Sequence, residues 1–212
     1  MMERRTPQEI ESESMRIIDS EAGGHGFGKD EWRVVRRVIH ATADFDFVKT
    51  IRFHPDAVSR GVQAVRGGAP IYTDTEMLAA AMGHKAAAGW GCPILCCIAD
   101  EDVRDESLRT GETRSAIAVR KAAPELDQGI IAVGNAPTAL HQVIDLFEKK
   151  SLVPALVIGM PVGFVEALES KERLYRSGLA GITNLDRKGG TPAAAAVLNA
   201  LLRLAAERAS QT

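Results

Sequence analysis

Gly129-Ile130-Ile131-Ala132-Val133-Gly134-Asn135-Ala136-Pro137-Thr138 and, further on, Ala155-Leu156-Val157-Ile158-Gly159-Met160-Pro161-Val162-Gly163-Phe164 are two versions of one local pattern. Each is a short apolar, β-branched run that ends at glycine, with proline within three residues. Unbroken apolar character is what a parallel strand needs when helices cover both of its faces. Gly134 permits a sharp turn, and Pro137 suits the first position of a helix, where no N–H is required. The carboxyl ends of such strands are where open α/β sheets bind ligands.

The same strand-then-helix rhythm extends outward from this stretch. Strands are predicted at Ala69–Thr73, Cys92–Ile98, Gly129–Val133, Ala155–Ile158 and Leu179–Thr183. Helices follow to about Ala81, from Ser115 to Ala122, from Ala136 through Phe147, from about Phe164 to Arg176, and from Gly189-Gly190-Thr191-Pro192 to a frayed tail near Ser210. Asp100-Glu101-Asp102 reads as an acidic loop. Ahead of this core, Thr6-Pro7-Gln8-Glu9 has the form of a capping box opening a helix to about Ala22. The run Gly23-Gly24-His25-Gly26-Phe27-Gly28 reads as a linker, since no strand precedes it and a P-loop lysine is lacking. A second helix is expected from Lys29 to about Thr42, then a loop or short edge strand near Phe45, then a third helix from Asp56 to Arg66. The expectation is a three-layer α/β/α sandwich around a five-stranded parallel, flavodoxin-like sheet of order 2-1-3-4-5. It forms one domain, with N-terminal helices (about 7–67) packed on a core (about 69–205).

Composition narrows the function classes. The 212 residues are 45% hydrophobic, enough for one sizeable core. Lys and Arg (26) nearly balance Asp and Glu (28), so a nucleic-acid groove is not expected. No apolar run approaches the roughly 20 residues needed to span a bilayer, and the N-terminus lacks the apolar centre of a signal peptide. A cytoplasmic protein without membrane contact is the expectation. Cys92, Cys96 and Cys97 show no metal-type pairing and read as reduced thiols on a buried strand. No metal site is expected.

Several residues could carry chemistry. Asp74 and Glu76 follow the first core strand. Such a pair could do acid/base work or hold a divalent ion, or could simply cap a helix start. The strand order places both beside Asn135. Thr113-Arg114-Ser115 opens a helix, and an arginine there suits bidentate carboxylate recognition. Arg187-Lys188-Gly189-Gly190 precedes another helix N-terminus, a second possible anion site. His40 falls in the last turn of the second helix, off the stripe of Val35, Val38 and Ile39, and is either a surface histidine or an acid. These residues indicate an α/β enzyme or binding protein for an anionic small molecule.

The assembled motifs resemble the precorrin-8X methylmutase family of cobalamin biosynthesis, including its cobalt-precorrin-8 branch. The matching pieces are Val38-Ile39-His40-Ala41, Gly68-Ala69-Pro70-Ile71 with Asp74-x-Glu76-Met77, Thr113-Arg114-Ser115, Val133 to Leu140, Ile158 to Val165, and Glu169-Ser170-Lys171. The resemblance implies a methyl shift from C-11 to C-12 of a corrinoid macrocycle, with no organic cofactor. It makes His40 the proton donor, and a positioned imidazolium is a sensible acid for an electron-rich ring. It matches Ser14, Thr113 and Arg114 to substrate contacts, and Asp74, Glu76, Asn135 and Met160 complete the expected binding set. It implies a tetrapyrrole ligand and a homodimer with the site near the subunit boundary. Two departures stand out. Glu112 replaces a typical asparagine and would repel a polyanion unless turned away or paired with a base such as Arg109. Ala41-Thr42-Ala43-Asp44 also differs from the commoner small-residue pattern. A non-catalytic corrinoid carrier of the same fold is the alternative.

Overall fold

The computed structural model describes residues 5–210. Its N-terminal part is helical: α1 (Pro7–Glu21), α2 (Lys29–Thr42) and α3 (Phe47–Thr50) precede a short strand, β1 (Ile51–Phe53), and α4 (Ala57–Arg66). The core then runs β2 (Ile71–Thr73), α5 (Glu76–Ala81), α6 (His84–Gly89), β3 (Ile94–Leu95), α7 (Glu101–Thr110), α8 (Arg114–Ala122), β4 (Ile130–Val133), α9 (Pro137–Glu148), β5 (Leu156–Gly159), α10 (Ala167–Arg176), β6 (Gly181–Asn184) and α11 (Thr191–Ala209). The capping box at the start of α1 is present: the Thr6 hydroxyl accepts from the Glu9 amide, and the Glu9 carboxylate accepts from the Thr6 amide.

Six strands form one mixed sheet in the order β1-β6-β5-β4-β2-β3. The expectation of five strands, all parallel, is corrected here. Among themselves β3, β2, β4, β5 and β6 are parallel and follow the order 2-1-3-4-5 of their appearance. β1 adds to the far edge antiparallel to β6, with Ile51 opposite Asn184 and Phe53 opposite Ile182. Three residues are too few to show a period, and their pairing partner lies at the other end of the chain. The strand expected over Cys92–Ile98 shrinks to Ile94–Leu95. Cys92 is buried, Cys96 and Cys97 are half-buried, and all three are free thiols. The acidic stretch read as a loop is the start of α7, whose only buried residue is Val103. A helix polar on nearly every side gives no periodic signal.

Strand residues alternate between two cores, as the two-residue period demands. Ile130, Ala132, Leu156, Ile158 and Ile182 face a layer that includes α2, α4 and α11. Ile131, Val133 and Val157 face α8, α9 and α10. In the first layer α2 runs antiparallel to α11. Arg33 pairs with Glu207, Asp30 with Arg208, and Glu11 of α1 bridges Arg37 and Arg203. These pairs are partly solvent-exposed, so each contributes at most about 1 kcal/mol. Burial of Val34, Val35, Val38 and Ile39, at roughly 1.5–3 kcal/mol per side chain, outweighs them. Close approach also depends on Gly61 of α4, where a Cβ would come within 2.7 Å of Leu156 and 3.0 Å of Leu201.

Candidate functional site

The parallel strands all end on one rim, and the groups built there come from five connections. Behind β2, Asp74 is fully buried. Its carboxylate accepts from the amides of Gly134 (3.0 Å), Asn135 (2.8 Å) and Ala136 (2.9 Å). It thus ties the end of β2 to the turn between β4 and α9. Burial pushes its carboxyl above the usual range, while the amide donors pull the other way. With no exposed surface and both oxygens engaged, the Asp74 side chain makes structural contacts here, tying two turns together. The cap of α5 is Thr75, whose hydroxyl accepts from the Leu78 amide. Glu76 and Met77 project from that first turn and are exposed. Asn135, its amide held by Asp74, also faces solvent. The fully buried Met160 side chain belongs to the core and likewise cannot touch a ligand in this conformation.

Thr113 and Arg114 sit at the start of α8. The Thr113 hydroxyl caps that helix through the Ala116 amide (3.3 Å) and donates to the Thr138 hydroxyl of α9 (2.8 Å). Arg114 is therefore placed beside the β4 turn, where its exposed guanidinium makes no ion pair among the described residues. Glu112 does not pair with Arg109. It grips Arg120 through both oxygens, which holds its carboxyl below the ordinary value and partners its charge with that guanidinium.

Two further connections, 160–166 after β5 and 185–190 after β6, are knitted together. The Gly163 amide donates to the Arg187 carbonyl (3.1 Å), and the Gly190 amide donates to that of Met160 (2.8 Å). Helix α10 starts at Ala167, so the helix expected from Phe164 begins a turn later and leaves Phe164 on the loop. Beneath the second loop lies Lys171, fully buried. Its ammonium donates to the carbonyls of Asp186 and Lys188 and reaches the Asn184 amide oxygen. Burial draws this lysine down to about 8, with Asp186 opposing. In the sequence Lys171 stands out only as part of a motif, and nothing local marks it as the anchor of a loop fifteen residues on. Gly189 is obligatory at that loop: its φ is +152°, and a Cβ there would lie 2.4 Å from the Met160 carbonyl oxygen.

His40 stands in the last turn of α2, exposed, on the far side of the buried Val34, Val35, Val38 and Ile39. This end of α2 reaches the rim, because Lys188 of the β6–α11 loop pairs with both Asp44 (2.8 Å) and Asp46 (2.5 Å) just beyond it. His40 is one turn on from Arg37 and on the same helical face. Arg37 lines a hollow of about 300 Å³ with Ala86, Asn199 and Leu202. Ser14 is not beside His40: its hydroxyl donates to the Ile10 carbonyl (2.8 Å), and α1 carries it from the Glu11–Arg37 contact away from the end of α2.

The fold therefore gathers Glu76, Asn135, Thr113 and Arg114 along the rim. His40 belongs to the helical layer on one face of the sheet and Arg114 to the layer on the other. One ligand can meet both by lying across the strand ends, or by taking them from two chains.

The model of the family described as "Precorrin-8X methylmutase" matches residues 9–204. The chain belongs to the precorrin-8X methylmutase family. Among relatives, a cobalt-precorrin-8 methylmutase of Leptospira interrogans is 42% identical over 207 residues, covering 94% of each chain. One from Priestia megaterium is 43% identical, covering 94% of this chain and 88% of that one. A solved structure titled as the precorrin-8x methyl mutase of Thermus thermophilus superposes with a TM-score of 0.87 at 41% identity, covering 94% of this chain and 98% of the other. These methylmutases thus resemble the chain in sequence over most of its length, and the solved one shares its mixed α/β fold.

Proposed function

We propose that the chain isomerises precorrin-8X or its cobalt form, moving a methyl group from C-11 to C-12 of the macrocycle. The observation that carries this reading is the relationship to named methylmutases along nearly the full length of both partners. His40 acts as the acid: it protonates the conjugated ring, which lowers the barrier to migration without an organic cofactor. Its exposure at the end of α2, with that end fixed to the β6–α11 loop through Lys188, suits a group that must meet a large ligand from the side. Arg114 pairs with a carboxylate arm, and Thr113, Asn135 and Glu76 complete the rim around the ring. Asp74 and Met160 act indirectly, by holding the turns that present those residues. Ser14 contributes, on this reading, from a second copy of the chain. The homodimer brings one subunit's helical layer to the other's rim, which supplies His40 and Arg114 to a single ligand.

The Glu112–Arg120 pair favours turnover over mere carriage, since it takes away the carboxylate that would have weakened polyanion binding. The deciding experiment is to incubate the purified protein with precorrin-8 and follow the visible spectrum. Conversion of the chromophore is expected. Binding without conversion would indicate a carrier, and no spectral response would sink the assignment. His40→Ala is expected to abolish conversion, with product binding kept within about threefold, because a group used only in the transition state alters kcat and leaves ground-state affinity alone.

A further inference from the structure

Phe164 is 84% exposed, and Val165 and Val162 beside it are also open to solvent. On a loop tied down by two inter-loop backbone bonds, such exposure is unusual for an aromatic ring. Above that ring, at 5.7 Å from its centroid, lies the guanidinium of Arg187. The two basic residues of this loop are treated differently. Lys188 is neutralised by Asp44 and Asp46, whereas Arg187 has no ion pair among the described residues. The backbone around Arg187 is meanwhile fixed from several directions. Lys171 holds the carbonyls on either side of it, the Asn184 amide nitrogen donates to the Lys188 carbonyl (2.7 Å), and the Lys188 amide donates to the Asp186 carboxylate (2.8 Å). A rigid base carrying an unpaired guanidinium over a bare ring is a preorganised recognition element, because the cost of ordering it is met in folding.

We propose that Arg187 and Phe164 form a second substrate-binding element, separate from Arg114: Phe164 packs on the edge of the flat macrocycle, and Arg187 takes one carboxylate arm in a bidentate pair. This rests on the methylmutase reading. The spacing suits it. Arg114 stands by the β4 turn and Arg187 at the end of β6, two strands away, or roughly 10 Å at about 4.8 Å per strand. The apolar surface of Val162, Phe164 and Val165 follows the end of β5, between them. A planar, apolar ring fringed with carboxylates matches this order of groups. Lys171 is a positioning residue for the element and touches no ligand.

The test uses the full-length protein, with Arg187→Ala, Arg187→Lys and Phe164→Ala assayed on precorrin-8 for KM and kcat separately. Their mass is followed by sedimentation. Arg187→Ala is expected to raise KM about tenfold, the effect of losing one charge-assisted hydrogen-bonded pair, with kcat within about twofold. Arg187→Lys recovers only part of the loss, because an ammonium cannot reproduce the fork. Phe164→Ala raises KM at unchanged mass. Unaltered KM in both alanine variants of an active enzyme would overturn the proposal. So would a fall in mass with Phe164→Ala, which would make the ring a contact between subunits. A wild-type protein that neither binds nor converts precorrin-8 would instead overturn the parent reading, so the two failures are distinguishable.

Discussion

Asp74 shows how far a residue's identity and its task can stand apart. Its position after a strand identifies a carboxylate at the mouth of a sheet, but its partners are three amides some sixty residues later, which no local pattern discloses. Replacing it with asparagine keeps the shape and sets an NH2 group against those donors. At about 1.5–3 kcal/mol for a hydrogen bond to a charged group, Asp74→Asn is expected to destabilise the fold by roughly 2–4 kcal/mol, seen as a lowered melting temperature. An unchanged melting point would show that the turn holds without the carboxylate. Gly189 is a sharper case. Alanine there meets a backbone carbonyl in a left-handed conformation, so Gly189→Ala should cost about 2 kcal/mol or more and disturb the β6–α11 loop. Lys171 gives a pH signature. Its native pKa of about 8 lies below the ordinary lysine value, so between pH 8 and about 10.4 the unfolded chain holds a proton that the native state has released. Stability should therefore rise across that window in the wild type relative to Lys171→Met, by a few kcal/mol at most. Parallel denaturation midpoints for the two proteins at pH 8 and pH 10 would place Lys171 at an ordinary pKa. His40 is legible in the sequence only in part. Its place off the apolar stripe is plain from helical periodicity, whereas the role of acid proposed for it rests on the family resemblance.

At the level of elements, legibility follows burial. Strands β2, β4, β5 and β6 are buried on both faces, and the mostly apolar runs in and around them locate each to within a few residues, although β6 ends in the buried polar pair Thr183 and Asn184. Elements that bury little escape such a reading: α7 has the composition of an acidic loop, the short α6 leaves no period, and β1 takes its meaning from its pairing with β6. The α2–α11 seam shows which forces matter. Val38→Ala removes two buried methyl-sized groups and leaves a cavity, for an expected loss of about 2–3 kcal/mol. Arg33→Ala deletes a partly exposed pair with Glu207 and should cost under about 1 kcal/mol. Equal losses in urea denaturation would mean that the charges hold the seam as firmly as the valines do.

At the scale of the whole molecule, the distribution of exposed apolar side chains matters most. Met77, in the first turn of α5, and Val162, Phe164 and Val165, on the β5–α10 loop, all follow strand ends at one rim. Among the described residues no helix is long and apolar enough to cross a membrane. If two chains complete each site, specific activity should fall on dilution in step with the loss of dimer in sedimentation. Activity that stays constant while the mass halves would mean that one chain suffices.

The antiparallel pairing of β1 with β6 also governs when, during synthesis, the protein can work. The segment bearing His40 emerges from the ribosome early, yet its resting places, the edge beside Asn184 and the flank of α11, are made last. Until then the first sixty residues have no sheet to close and no long helix to lean on, and contacts of such wide separation form slowly. A chain cut before Thr191 should therefore lose its early helices' packing as well as its last one. His40, the acid of the proposal above, thus waits for α11 to be made before its own helix can settle.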